Sequence, residues 1–99
     1  MIYHVVTQSV KPGKMDEARA LLLDYAAHVM KTYPGQKVQI VSNIGEPANQ
    51  LHWVNIRETV EGEAIKQDPE NLKKMNEFMA KSAEIFESAR VEHYYRDVE

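Results

Sequence analysis

The apolar positions of this chain follow two different periods, and the changes of period divide it into six elements. Ile2 to Ser9 (IYHVVTQS) is rich in β-branched and aromatic residues, which predicts a strand that Lys11-Pro12-Gly13 then breaks. From Lys14 the period lengthens. Met15, Ala18, Leu22, Ala26, Val29 and Tyr33 recur at three- and four-residue steps, the stripe of an amphipathic helix. Asp16 and Glu17 stand in its first turn, where carboxylates favour the positive end of the helix dipole, and Tyr33-Pro34-Gly35 closes it. Lys37 to Asn43 predicts a second strand, with Gly45, Pro47 and Asn49 marking the turn that follows. Gln50 to Glu58 predicts a third. Thr59 to Gln67 has no clear period, beyond one loose helical turn around Ala64 and Ile65. Asp68-Pro69-Glu70 has the chemistry of a helix start: an acid as N-cap, proline at the first position and an acid just inside. Leu72, Met75, Phe78, Met79, Ala83, Phe86 and Ala89 form its stripe, and Val91 to Val98 predicts a last strand.

The predicted order is β-α-β-β-α-β over one domain, residues 1–99. Two such halves fold most simply into a ferredoxin-like α+β arrangement, a four-stranded antiparallel sheet with both helices on one face. The strands are apolar on both sides. Tyr3 and Val5 oppose Ile2 and Val6; Leu51 and Trp53 oppose Val54 and Ile56; Val91 and Tyr95 oppose Tyr94 and Val98. A sheet with one wet face would alternate cleanly, and two helices cover only one face. A second copy of the chain is the expected cover for the other, so the chain is expected to form a homodimer.

Composition narrows the chemistry. The apolar fraction of 43% and charged fraction of 27% are those of a globular domain. A formal net charge of -3 argues against a nucleic-acid binder, and the central strands lack the paired aromatics and basic flanks of an RNA-recognition sheet. With no cysteine, disulfides, thiolate metal sites and cysteine nucleophiles are excluded. The N-terminus shows no basic and long apolar leader, and no apolar run approaches a membrane span, so the expected compartment is the cytoplasm. No glycine-rich phosphate loop and no H-x-H or H-x-x-x-H spacing occurs, so neither cofactor nor metal is expected.

The run from the first strand into Lys11-Pro12-Gly13 and Asp16-Glu17, a third strand containing Trp53, then Asp68-Pro69, an amphipathic helix and a final strand together resemble the dimeric α+β barrel superfamily. The branch typified by antibiotic biosynthesis monooxygenases is the nearest. The resemblance covers essentially the whole chain and rests on pattern. It implies a ligand pocket between sheet and helices. Members include cofactor-independent quinone-forming monooxygenases, haem-degrading enzymes, lactone isomerases and stress-induced proteins. The Asn, Trp and His of the haem-degrading branch would fall at Val6, Ala64 and Lys74, so the resemblance does not extend to haem degradation.

Within that frame Gln8, His52, Trp53 and His93 are the candidate substrate-binding residues. His4, His52 and His93 lie on strands expected to be neighbours, and would converge only if their faces agree. Their plainer reading is as hydrogen-bonded strand histidines; the functional one is as a proton carrier or substrate donor. His28 flanks the first helical stripe as a boundary residue. Trp53 reads either as a core or interface anchor or as a wall that stacks on a planar substrate. Asn55 and Arg57 share its parity. Met75, Phe78, Met79 and Phe86 would be either plain core or a pliable pocket lining. The expected function is small-molecule binding, as a cofactor-independent monooxygenase-like enzyme acting on a hydrophobic planar substrate. The alternative is a non-catalytic dimeric ligand-binding or stress-associated module. Counting parity from Gly13, His4, Val6 and Gln8 should look toward the helices, with Tyr3, Val5 and Thr7 on the partner-facing side.

Overall fold

A computed structural model describes residues 1–99, the side chain of Ser88 excepted. Six elements run in the order β1 (Ile2–Val10), α1 (Met15–Thr32), β2 (Lys37–Ser42), β3 (Gln50–Arg57), α2 (Pro69–Ile85) and β4 (Phe86–Arg96). The four strands form one sheet in the order β2-β3-β1-β4, every neighbouring pair antiparallel. This is the ferredoxin-like α+β order that the sequence predicts.

Each helix is set by local chemistry. At α1, Ala18, Leu22, Ala26 and Val29 are buried while Asp16 and Glu17 occupy the first turn and Lys31 the last, complementing the dipole at both ends. At α2, Asp68 is an N-cap whose carboxylate accepts from the Asn71 amide at 2.9 Å, with Pro69 following it. One core joins Val10, Ala18, Leu22, Leu51, Ile85 and Phe86; a second joins Ala26, Val29, Tyr33 and Val38.

Two boundaries differ from the pattern. The second helix stops at Ile85, so Phe86 and Ala89, which continue its apolar stripe, belong to β4. Phe86 pairs with Val10 across the sheet, and the Lys11 amide donates to the Ile85 carbonyl at 2.9 Å. Strand pairing claims these residues even though no glycine or proline marks the break. Residues 59–67 form no helical turn. Tyr33 and Asn71 anchor the end of that segment instead: the Lys66 amide donates to the Tyr33 hydroxyl at 3.0 Å, and Asn71 Nδ2 donates to the Lys66 carbonyl at 2.8 Å.

The register sorts every strand residue onto a face. Across the helix side run the rows Val38–Asn55–His4–Tyr94, Ile40–Trp53–Val6–Glu92 and Ser42–Leu51–Gln8–Arg90. Across the other side run Lys37–Ile56–Tyr3–Tyr95, Gln39–Val54–Val5–His93 and Val41–His52–Thr7–Val91. The even positions of β1 therefore look toward the helices. No helix of the described residues is long and apolar enough to cross a membrane.

Candidate functional site

Between the sheet and the two helices lies a cavity of about 210 Å³. Its floor is His4, Val6 and Gln8 of β1, Trp53 of β3 and Arg90 of β4; its roof is Leu22 and Tyr25 of α1 and Phe78 of α2. The aromatic wall is ordered by stacking. Tyr25 and Phe78 lie parallel with centroids 4.0 Å apart, and Trp53 meets Tyr25 at 5.8 Å and Phe78 at 6.5 Å in tilted contacts. Burial pushes the Tyr25 phenol above its ordinary range. An open groove of about 840 Å³ adjoins the cavity, sharing Gln8, Phe78 and Arg90 with it and adding Lys11, Met79, Ser82 and Phe86. The buried Ser82 hydroxyl has no hydrogen-bond partner in the chain.

The polar side of the cavity is a small charge network. His4 Nε2 donates to Glu92 Oε1 at 3.0 Å, Arg90 pairs with the same oxygen at 3.0 Å, and the His4 ring stacks on Tyr94 at 4.3 Å. The hydrogen bond from His4 holds the Glu92 carboxyl below its usual range; burial opposes it, and the nearby Arg90 guanidinium adds to the lowering. With Nε2 occupied by a carboxylate, Nδ1 is the nitrogen of His4 left to take up a proton. Arg90 and Gln8 supply the donors that a phenolate or carbonyl oxygen needs. The arrangement can hold a flat apolar ring, bind an oxygen on its rim and remove a proton from it.

Of the four residues singled out from sequence, Gln8 and Trp53 stand on this cavity, and His52 and His93 stand on the opposite face of the sheet. His52 there sits between β1 and the turn after β2: its Nε2–H donates to Asn43 Oδ1, and its Nδ1 accepts from the Thr7 hydroxyl at 2.7 Å. The three strand histidines do not converge, since His4 faces the helices. Among the described residues no group of three or more His, Cys, Asp or Glu side chains is placed to hold a metal ion. Asn55 is buried and its amide donates to Gln36 Oε1 at 2.9 Å, while Arg57 is tied to the carbonyls of Thr59 and Val60. His28 is a boundary residue with a partner: its Nε2–H donates to the buried Asn71 at 2.8 Å.

The site members that sequence reasoning did not select are Tyr25, Arg90 and Glu92. Arg90 lies before the predicted strand, because the helical stripe running through Ala89 hid where that strand begins; Glu92 lies within the predicted strand, and only the register places it on the helix side. Tyr25 flanks the buried stripe of α1 and reads there as an ordinary boundary residue.

No family profile and no curated protein sequence matches the chain. Solved structures do. A candidate antibiotic biosynthesis monooxygenase from Caulobacter crescentus CB15 superposes with a TM-score of 0.74 at 22% identity, over 99% of this chain and 90% of that one. Another from Bordetella bronchiseptica gives 0.73 at 19% identity, over 98% and 96%. An uncharacterised NIPSNAP domain protein from Burkholderia xenovorans gives 0.67 at 9%, over 99% and 95%. The chain therefore has the ferredoxin-like α+β fold that these solved structures share.

Proposed function

We propose that the chain binds a small, planar, hydroxylated aromatic molecule in the cavity under the helices and oxidises it with dioxygen, without cofactor or metal. The observation that carries this reading is the pairing of the Trp53–Tyr25–Phe78 wall with a His4–Glu92 pair and Arg90 on the facing rim. At about 210 Å³ the cavity is below the usual range for drug-sized ligands, so it suits two or three fused rings that extend into the adjoining groove. The fold of the two candidate monooxygenases supports the class of reaction.

The chemistry asks little of the protein beyond placement and one proton transfer. His4 removes a proton from the enolic or phenolic tautomer, Glu92 steadies the resulting imidazolium, and Arg90 and Gln8 hold the oxyanion. The electron-rich carbanion then reduces dioxygen. For a CH2 group held between aromatic rings the balance is CH2 + O2 → C=O + H2O: the substrate carbon supplies all four electrons, one oxygen atom enters the product and the other leaves as water. His52 and His93, on the far face, take no part in this step.

The same reading places a second copy of the chain over the face that carries Val5, Val54 and Ile56, closing the barrel. Membership of the cytoplasm goes with it.

Anthrone is a suitable probe, since its oxidation to anthraquinone is visible by absorbance. The expected result is quenching of Trp53 emission on binding, with one O2 consumed per anthraquinone formed. Glu92→Gln should bind anthrone and lose roughly 10–100-fold in rate, less than the roughly 100–10,000-fold of a general base itself, because Glu92 steadies His4 and does not take the proton. Binding without turnover would favour the non-catalytic alternative. No binding would overturn both.

A further inference from the structure

Helix α1 carries a second apolar stripe that its own fold does not use. Ala20, Leu23, Ala27 and Met30 recur at steps of three, four and three, the spacing of a coiled-coil seam. All four are exposed, Leu23 at 58% and Met30 at 37%. The contacts of α1 fix where the stripe lies. Asp24, Tyr25 and His28 meet Lys74, Phe78 and Asn71 of α2, and Ala18, Leu22, Ala26 and Val29 point into the core. At about 100° per residue the stripe falls on the flank turned away from both. It therefore runs along the molecule's outer side, above edge strand β2.

We propose that this flank is a self-docking surface, on which α1 of a second copy lies antiparallel about a two-fold axis. The proposal stands apart from the pairing of sheet faces described above and uses a different surface. Three features select this occupant. Under a two-fold centred near residue 25, Ala20 faces Met30 of the other copy and Leu23 faces its Ala27, so each long side chain meets a small one. Glu17 and Lys31, on the solvent flank of the seam, fall opposite each other in both symmetry-related pairs; Glu17 has only a long, exposed contact with Lys14 of its own chain at 3.4 Å and keeps an oxygen for the second copy. Asp24, which meets its own mate near the axis, is already paired with Lys74 at 2.6 Å, so its charge is offset within each chain. A parallel arrangement would instead set Leu23 on Leu23 and Met30 on Met30, and would carry the Glu17 and Lys31 flanks of the two copies to opposite sides of the seam, so that they could not pair.

The seam is short, two heptads of an 18-residue helix, so the association should be weak and dependent on concentration. Zero-length carbodiimide cross-linking of the full chain at roughly 100 μM, read by peptide mass spectrometry, tests it. Glu17 and Lys31 lie about 21 Å apart along one helix, so a Glu17–Lys31 cross-link can form only between chains. The expected result is that cross-link in the wild type and its loss in Leu23→Glu. Glu17→Lys and Lys31→Glu should each abolish the parallel rise of mass with concentration in sedimentation equilibrium, and the double exchange should restore it. Circular dichroism of each variant establishes that the fold is intact. Absence of the cross-link, its persistence in folded Leu23→Glu, or a double exchange no better than the single ones would overturn the proposal. Failure of the sheet-face dimer would leave it standing, because Val5→Glu does not touch this flank.

Discussion

At the scale of the residue, the cavity depends on a few side chains whose neighbours change their chemistry. Tyr25 is the clearest case for stability. Its phenol is raised by burial, so the folded chain resists ionising it while the unfolded chain ionises near pH 10. The stabilisation is therefore present below about pH 10 and is lost as pH rises through the folded value. Thermal unfolding from pH 8 to 11 should show a fall in melting temperature at the alkaline end that is shallower in Tyr25→Phe. Glu92 runs the other way. Its folded value is depressed, so its contribution holds above the ordinary carboxylate range and fades as pH falls through the folded value. The same residues show what could be read beforehand. Parity from Gly13 puts His4, Val6 and Gln8 on one side, and the register agrees. His52 and Trp53 are adjacent, so they must face opposite ways, but β3 is apolar on both sides and nothing in its sequence says which side meets the helices. Only the pairing of Thr7 with His52, and of Val6 with Trp53, decides it.

At the scale of the element, punctuation was legible and competition was not. Asp68-Pro69 announces the start of α2, and the structure shows why: the carboxylate satisfies an amide that the first turn leaves without a partner. Asp68→Ala should lower stability by about 1 kcal/mol, the usual worth of an N-cap. In a domain of this size that corresponds to a fall of about 4–8 °C in melting temperature, measurable by calorimetry. The end of α2 carried no such signal. Ile85 and Phe86 satisfy a helical period and a strand equally well, and pairing with Val10 settles the matter from 70 or more residues away in sequence. The segment 59–67 is similar: its anchors, Tyr33 and Asn71, lie in other elements, so no local pattern could reveal them.

At the scale of the whole molecule, the sheet divides its labour between two faces. The helix side holds the cavity. The other side carries Tyr3, Val5, Val54, Ile56, Val91 and Tyr95 with no element of the chain over them, and Val5 lies near its middle. Both apolar faces are legible in the strand patterns, and a sheet apolar on both sides with helices on only one is what points to a second copy. Sedimentation velocity at low micromolar concentration tests this division most directly. It should give a two-chain mass for the wild type and a one-chain mass, or aggregation through the bared sheet, for Val5→Glu. That substitution puts one carboxylate from each copy into an apolar interface, at a cost of several kcal/mol. Val6→Glu, which strikes the core beneath the helices, should lower the melting temperature without selectively splitting the dimer. A wild type that sediments as a single chain, or a folded Val5→Glu that keeps the two-chain mass, would contradict the account.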